Sequence, residues 1–318
     1  AGEVLVRVRA AALNFNDIAR CRGELVSGSK DPPFTLGMDV CGVVEAAGTG
    51  AEAWLGRRVV AVSKDALGGI AELAVAPASG VFDAPPELDD VEAAAFLLPF
   101  HTTHLALFHR GGLREGETLL VHSGASGLGT AAIQLGAAAG ARVMATVSST
   151  EKADLCRSLG ADVVIDHTRE DFVDAVLQAT GDVGAEVICD LAGGGFVAPS
   201  WQCVARDGRY LAVGFTDDDQ NGMTGRPLRM ISIGNFSVVG VLSAWVDDLD
   251  PGMRRFGFNP FTRADGDRVH ADLLRLVADG RIRPHVGRRV TMEQAGAALD
   301  DHERRRSVGR TVVDVATD

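Results

Sequence analysis

The chain has 318 residues, of which 46% are hydrophobic and 23% charged, a composition typical of a globular protein with enough apolar side chains for two cores. Its formal net charge of −12 argues against nucleic acid or an anionic membrane as a partner of the whole surface. Five scattered cysteines, without paired spacing, and the lack of a long apolar run predict a cytoplasmic protein with no membrane contact.

The first 95 residues predict a small antiparallel β domain. Polar and apolar residues alternate in four stretches, at 3–10, 40–47, 57–62 and 70–75, and glycines separate them. A period of two is typical of strands that bury one face.

A different pattern begins at residue 118, where a short apolar run ends in a turn of small residues and an apolar helix follows. Glycines at 124, 127 and 129 let the backbone approach a pyrophosphate, and the helix N-terminus offers it free N–H groups. Such a turn also occurs in nucleotide-free α/β proteins. The continuation of the chain favours a dinucleotide site, with the pyrophosphate held by Ala125, Ser126, Gly127 and Leu128.

Strands and helices then alternate along the chain. Strands are predicted at 118–121, 142–147, 163–166, 186–190, 209–214 and 235–242, with helices at 151–159, 170–179 and around 196–205. Helices at 268–278 and 293–302 and a closing strand at 311–315 follow. The regular alternation of strands and helices predicts an α/β fold with a doubly wound parallel sheet. We expect this Rossmann domain at 96–245, between the β domain at 1–95 and a return segment at 246–318, with both terminal strands in one sheet.

The whole chain resembles the zinc-free medium-chain dehydrogenases/reductases, nearest the NADPH:quinone oxidoreductases and zeta-crystallins. The order and spacing of short motifs carry the resemblance: Gly2-Glu3-Val4-Leu5-Val6-Arg7-Val8, Leu13-Asn14-Phe15-Asn16-Asp17, Gly37-Met38-Asp39-Val40-Cys41-Gly42, the turn at 122–129, Val239-Gly240-Val241 and Gly309-Arg310-Thr311-Val312-Val313. The resemblance implies a GroES-like β domain into which the Rossmann domain is inserted.

Zinc is the first distinction within that family. Zinc-bound alcohol dehydrogenases carry a cysteine at the position of Asn14 and Gly-His-Glu at that of Gly37-Met38-Asp39. An amide and a thioether are not zinc ligands in proteins, which use thiolate, imidazole or carboxylate. His101 and His104 fit one helix face, but two histidines without a third ligand are more often packing or surface residues. The sequence predicts no metal.

The type of nicotinamide cofactor is the second distinction. NAD-selective domains carry an acid near the end of the second strand, whereas this chain has Ser148-Ser149-Thr150 with Lys152 just beyond. Hydroxyls and a cation suit a 2′-phosphate, and the resemblance adds His167 beside it. Alternatively, Ser149 or Thr150 caps the helix and Lys152 is solvated. Although Glu151 is an acid close by, we predict NADPH, held by Ser148, Lys152 and His167.

The resemblance also implies which residues surround the nicotinamide end and the rest of the cofactor. Asn14 is expected to face the reacting ring, with Thr102 beside it, as the catalytic pair. The other expected contacts are Gly193, Gly214, Phe215, Thr216, Val241, Leu242, Ser243 and Arg310. For Thr102 the alternative is a satisfied helical hydroxyl, and for Val241 and Leu242 it is a core strand.

No acid–base residue stands out from the sequence. The single tyrosine, Tyr210, lies inside a predicted strand, which excludes the Tyr-x-x-x-Lys relay of short-chain reductases. Asp17 and Asp39 are interpreted as residues that cap or brace a loop. A substrate protonated by water is therefore expected.

Three functions remain open at this stage. The first is an NADPH-dependent reductase of a quinone or an α,β-unsaturated carbonyl compound. The second is an enoyl-thioester reductase excised from a polyketide synthase, which a start inside the family's first strand pair favours. Leu25, where such reductases often carry tyrosine, argues against it. The third is a non-catalytic NADPH-binding scaffold.

The last predicted strand, at 235–242, is expected at the edge of the parallel sheet. An exposed apolar edge invites pairing, so we predict a homodimer with one sheet continuing across a two-fold axis.

Overall fold

The computed structural model describes residues 1–23, 31–214, 228–255 and 257–315, and these fall into two compact units. One unit comprises residues 1–101 and 243–318, and the other comprises residues 102–242. Within the described ranges, no helix is long and apolar enough to cross a membrane.

The strands are numbered in chain order. They are β1 (Glu3–Ala12), β2 (Asp39–Ala47), β3 (Arg58–Val62), β4 (Leu73–Pro77), β5 (Val81–Asp83), β6 (Thr118–Val121), β7 (Arg142–Val147), β8 (Val163–Asp166), β9 (Ala185–Asp190), β10 (Val204–Ala212), β11 (Ser237–Gly240), β12 (Val286–Val290) and β13 (Arg310–Asp314).

The α-helices are numbered in the same way. They are α1 (Phe15–Arg22), α2 (Asp90–Ala94), α3 (Leu97–His104), α4 (Gly127–Ala138), α5 (Thr150–Ser158), α6 (Phe172–Thr180), α7 (Val197–Ser200), α8 (Leu228–Gly234), α9 (Pro251–Arg255), α10 (Arg263–Ala278) and α11 (Ala295–Glu303). A π-helical turn, Leu105–Arg110, continues α3.

The discontinuous unit is built on a mixed, mostly antiparallel sheet. Its strand order is β12-β13-β1-β2-β3-β5, and β4 also pairs with β1. Because β1 pairs with β13 in antiparallel fashion, the two ends of the chain share one sheet, as predicted. The apolar side of this sheet forms the core of the unit, around Val6, Val59 and Val313.

The other unit contains a parallel sheet with the strand order β11-β10-β9-β6-β7-β8. Strand β6 is buried along its whole length and β7 at every residue after Arg142, which explains their continuous apolar runs. Strands β6 and β9 are neighbours although β7 and β8 lie between them in sequence. The carboxyl ends of β6 and β9 therefore mark the switch point at which such sheets bind ligands. The predicted α/β fold class is confirmed.

Capping residues determine the two ends of helix α10, which the pattern of apolar residues alone does not predict. Helix α10 begins at Arg263, five residues before the predicted start, because Thr262 and Asp265 cap each other's backbone N–H groups at 3.2 and 2.9 Å. It ends before Gly280, whose φ of 67° is the left-handed conformation that glycine tolerates.

The prediction of a helix at 196–205 is wrong beyond Ser200. Helix α7 stops there, and β10 begins at Val204, which pairs with Ala185 of β9. A register shift follows between Val204 and Arg209, where Asp207 has a φ of 60°. The apolar run at 196–205 therefore belongs to two elements, because its last residues pair with a distant strand.

Strand β11 lies at the edge of the parallel sheet in the described part of the chain, as predicted. Ile233 and Leu242, on either side of it, are exposed apolar residues, at 62% and 45%. The homodimer through this edge stays a prediction.

Candidate functional site

The glycine-rich turn connects β6 to α4 at the switch point of the parallel sheet. Ser126 caps the helix, since its hydroxyl accepts the Gly129 N–H at 3.0 Å. The N–H groups of Gly127 and Leu128, at the start of the helix, have no acceptor within it. A helix N-terminus of this kind, with its positive dipole end, suits a pyrophosphate.

The glycines of the turn have different reasons to be glycine. A Cβ on Gly129 would lie 2.2 Å from the Ser123 carbonyl oxygen, and one on Gly124 would lie 2.9 Å from the Ala145 Cβ. Close packing within and around the turn therefore requires glycine at both positions. Gly127, the first residue of α4, is half-buried and is the position at which a ligand would approach.

His122, directly before the turn, is fully buried and fixes the turn to its surroundings. Its Nε2 lies 2.8 Å from the Ser200 hydroxyl, which itself donates to the Phe196 carbonyl, so Nε2 is the donor. Its Nδ1 then accepts from the Thr146 hydroxyl at 3.1 Å. Burial lowers the pKa of His122 to about 4, which keeps the ring neutral in this role. Nothing in the sequence around His122 indicates this role, because its partners are 24 and 78 residues away.

The polar residues after β7 have two different roles: one caps a helix, and two others form a hydrogen-bonded pair at the surface. Ser149 caps α5 by accepting the Lys152 N–H at 3.3 Å, as the alternative interpretation had it. The Ser148 hydroxyl instead accepts from Lys152 Nζ at 3.2 Å. His167 follows β8, whose Asp166 pairs with Val147, so the exposed His167 lies at the same edge as Ser148.

Asp190, at the end of β9, organises two further predicted cofactor residues. One carboxylate oxygen accepts the N–H groups of Ala192 at 2.8 Å and of Gly193 at 2.9 Å, and the other accepts the Tyr210 hydroxyl. The Asp190 carbonyl accepts the Gly214 N–H at 2.9 Å. The sequence offers only a weak signal for this role of Asp190, an acid at the end of a predicted strand together with the single tyrosine of the chain.

Gly214 is required by close packing, since a Cβ there would lie 2.0 Å from the Leu191 carbonyl oxygen. Val241 donates its N–H to the Ala212 carbonyl at 3.2 Å. Ser243 is half-buried and belongs to the discontinuous unit. Phe215 and Thr216 lie outside the described residues, as do Leu25 and residues 24–30 around it.

Thr102 behaves differently from a satisfied helical hydroxyl. Its side chain is buried, at 8% exposure, and its Oγ1 has no hydrogen-bond partner in the described part of the chain. Because a buried hydroxyl without a partner costs free energy, this atom fits contact with a bound ligand.

In the discontinuous unit, Asn14 and Arg310 meet in a buried polar network with Asp39. Arg310 donates to Asn14 Oδ1 at 2.9 Å and to Asp39 Oδ2 at 2.8 Å. Asn14 Nδ2 donates to Asp39 Oδ2 at 3.2 Å and to the Ala12 carbonyl at 3.1 Å. Both ends of the Asn14 amide are thus occupied. The roles of Asn14 and Arg310 toward a cofactor stay predictions.

Asp17 and Asp39 brace the loops around Asn14, as interpreted from the sequence. Asp17 accepts the N–H groups of Asn14 at 2.8 Å and of Gly37 at 2.9 Å. Burial raises the pKa of Asp39 to about 6, although the Arg310 guanidinium works against the rise. Burial also raises the pKa of Asp17, and it lowers that of Arg310.

The donor set at this position does not fit zinc. Asn14 and Met38 stand where the zinc enzymes carry ligands, and a guanidinium already neutralises the nearby Asp39. Among the described residues, no three or more histidine, cysteine or acidic side chains are grouped to hold a metal. The buried Thr102 hydroxyl and the free helix N-terminus, by contrast, fit a dinucleotide.

Two families of known proteins match parts of the chain. Residues 1–86 match the family described as "Alcohol dehydrogenase GroES-like domain", and residues 127–256 match "Zinc-binding dehydrogenase". The chain is 29% identical over 314 residues to a quinone oxidoreductase-like protein 2 homolog of Nematostella vectensis, covering 98% of this chain and 81% of that protein.

A solved structure and a larger protein add to the comparison. The quinone oxidoreductase of Thermus thermophilus, solved alone and with NADPH, is 32% identical, with a TM-score of 0.78 and coverage of 99% of this chain and 92% of that one. The highly-reducing polyketide synthase 1 of Aureobasidium melanogenum is 31% identical over 223 residues, which are 69% of this chain and 10% of that protein.

The chain therefore belongs to the medium-chain dehydrogenase/reductase superfamily, as the resemblance predicted. Within that superfamily it is an oxidoreductase of the quinone oxidoreductase-like kind. Although one matching family is described by zinc, Asn14 and Met38 are not zinc ligands, and no other set of ligands is grouped among the described residues.

Proposed function

We propose that the chain is an NADPH-dependent reductase that transfers hydride, without a metal, to a quinone or to the β-carbon of an α,β-unsaturated carbonyl compound. The observation that carries the cofactor preference is the contact of Lys152 with Ser148 after β7. Ser149 is committed to the helix cap, so Ser148 and Lys152 are the pair left to hold a 2′-phosphate, with His167 at the same edge. The Thermus thermophilus relative, solved with NADPH, supports this proposal.

The residues of the chain bind and orient in this proposal, and none of them transfers a proton. The N–H groups of Gly127 and Leu128 would hold the pyrophosphate. Asp190 fixes the positions of Gly193 and Gly214, which are predicted to contact the cofactor. When bound, the nicotinamide supplies the hydride. Since Asp17 and Asp39 are committed to bracing loops, the proton comes from water. Asn14 acts by position, because an amide does not titrate.

Changing Lys152 to alanine is expected to weaken NADPH binding about tenfold to a hundredfold while leaving NADH unaffected. Loss of one charge-assisted hydrogen bond costs about 1.5–3 kcal/mol, and only NADPH has the 2′-phosphate that makes it. Dissociation constants for both cofactors, from fluorescence titration, measure the effect. Arg157→Ala, which removes an exposed cation from the same helix, is the matched control. Equal losses for both cofactors would contradict the assignment.

An enoyl-thioester reductase is the second candidate, because the chain aligns with a segment of a highly-reducing polyketide synthase. Both candidates share the cofactor site and the hydride step. The two candidates differ only in the compound that accepts the hydride, so an assay with different substrates distinguishes them.

A screen of NADPH oxidation against quinones, enones and enoyl thioesters tests the proposal. We expect turnover with quinones or enones that exceeds turnover with enoyl thioesters. Deuteride at the nicotinamide C4 should appear at carbon in a reduced enone and be lost to solvent from a hydroquinone oxygen. Fastest turnover with thioesters would favour the second candidate, and NADPH binding without any turnover would favour a non-catalytic scaffold.

A further inference from the structure

A buried tyrosine–aspartate pair connects two neighbouring strands of the parallel sheet. Asp190 is the last residue of β9, and Tyr210 lies within β10, which pairs with β9. Each residue is 1% exposed, and the Tyr210 hydroxyl donates to the Asp190 carboxylate. Because neither side chain reaches the surface, the pair affects a ligand only through the backbone that it holds.

The Asp190 carboxylate holds a turn with an unusual backbone conformation. Its second oxygen accepts the N–H groups of Ala192 at 2.8 Å and of Gly193 at 2.9 Å. Gly193 has a φ of 75° and a ψ of −154°, a conformation that is almost restricted to glycine. Such a conformation persists only where the surroundings fix it, and it is frequent at ligand sites. Here Asp190 fixes Gly193, and Tyr210 fixes Asp190.

The chain that leaves β10 packs on the same turn. The Asp190 carbonyl accepts the N–H groups of Val213 at 3.1 Å and of Gly214 at 2.9 Å. A Cβ on Gly214 would lie 2.0 Å from the Leu191 carbonyl oxygen, so the two segments are in direct contact. The backbone at the carboxyl ends of β9 and β10 therefore forms one packed surface that depends on the Asp190–Tyr210 pair.

The strand order indicates which half of a dinucleotide would meet this surface. Strand β6, which the glycine-rich turn follows, lies between β7 and β9. The proposed function assigns the pyrophosphate to that turn and the 2′-phosphate to Ser148 and Lys152, which follow β7. A dinucleotide that lies across the carboxyl ends of the strands then extends its other half over β9 and β10. That half is the nicotinamide with its ribose.

We propose that Tyr210 and Asp190 are positioning residues for the nicotinamide half of NADPH. The pair fixes the backbone of Gly193 and Gly214, against which the nicotinamide and its ribose bind, and it makes no contact of its own with the cofactor. A backbone that is already in its binding conformation loses less entropy when the ligand binds. The inference rests on the proposed function and extends it to two residues outside the cofactor contacts.

Changing Tyr210 to phenylalanine removes the hydroxyl and keeps the ring. We expect NADPH to bind about threefold to tenfold more weakly, because the buried Asp190 carboxylate loses a donor and the turn is fixed less firmly. Adenosine 2′,5′-bisphosphate, which resembles the half of NADPH without nicotinamide, should bind with unchanged affinity. Isothermal titration calorimetry with both nucleotides measures the two values.

Phe236→Leu is the matched control for a general disturbance of this core. Phe236 is buried in the same core as Tyr210, and both rings contact Trp201, at 5.8 and 6.2 Å between ring centres. The change leaves the groups that bond to Asp190 in place, so it should alter neither affinity. If Tyr210→Phe weakens both nucleotides equally, or weakens neither, the inference is overturned while the proposed function stands.

The unchanged chain offers a second test, which covers the case in which Tyr210→Phe does not fold. Labelling tyrosine with carbon-13 at Cζ gives a single NMR signal, because Tyr210 is the only tyrosine in the sequence. NADPH should shift this signal more than adenosine 2′,5′-bisphosphate does, and equal shifts or none would overturn the inference. If the unchanged chain binds neither nucleotide, the proposed function fails and the inference fails with it. If NADPH binds and shifts the signal but no acceptor is reduced, the inference stands and the proposed reductase activity fails.

Discussion

Replacing Gly127 with valine is expected to lower NADPH affinity by about a hundredfold or more, equivalent to about 2.8 kcal/mol or more. The branched side chain would occupy the start of α4, where the N–H groups of Gly127 and Leu128 are available to a pyrophosphate. The fold should survive, because glycine is a poor helix residue and valine in its place does not weaken the helix. Fluorescence titration of NADPH measures the loss, and circular dichroism reports the fold.

Gly296→Val is the matched control for this change. Gly296 lies in the first turn of α11, where a Cβ would meet no atom within 4 Å. It should bind NADPH like the unchanged chain. Gly129→Val would be a poor choice, since a Cβ there clashes with the turn itself and the loss of binding would only report misfolding. Full affinity in a folded Gly127→Val variant would show that the phosphate site lies elsewhere.

Elements that depend on local pattern could be predicted from the sequence almost to the residue. The bounds of β7 and β8 were right because buried parallel strands are short continuous apolar runs with polar or small residues at their ends. The helix predicted at 196–205 failed because the pairing of Val204 with Ala185 is a contact between strands, which periodicity within one segment does not reveal.

The polar part of the candidate site was harder to predict for a related reason. Asp39 and Arg310 form a buried ion pair although they are 271 residues apart, and nothing near either residue indicates the other. The resemblance placed Asn14 at the site, but its amide is bonded at both ends within the network. His122 contacts Thr146 of β7 and Asp190 contacts Tyr210 of β10, so these parts of their roles are visible only in the assembled sheet.

The second large expected effect concerns the stability of the fold and comes from the buried ion pair of Arg310 and Asp39. Arg310 and Asp39 are 5% and 0% exposed, so changing Arg310 to methionine leaves a buried carboxylate without its cation. Removing one partner of a buried pair costs about 3–5 kcal/mol, because the remaining charge stays desolvated. We expect a loss of this size in the free energy of unfolding at pH 8, measured by urea denaturation.

The loss should be smaller at pH 5, and the sign follows from the pKa of Asp39. Burial raises that pKa to about 6 in the folded chain, and without Arg310 it rises further, whereas the unfolded value stays near 3.8. The folded state then holds the proton more tightly, so stability is greatest below the unfolded pKa and falls as pH rises through the folded one. The double variant Arg310→Met, Asp39→Asn retains Asp17 but lacks the Asp39 carboxyl, so its unfolding should lose the added dependence on pH. Equal losses for Arg310→Met at pH 5 and pH 8 would show that the Asp39 carboxylate is not held by this cation.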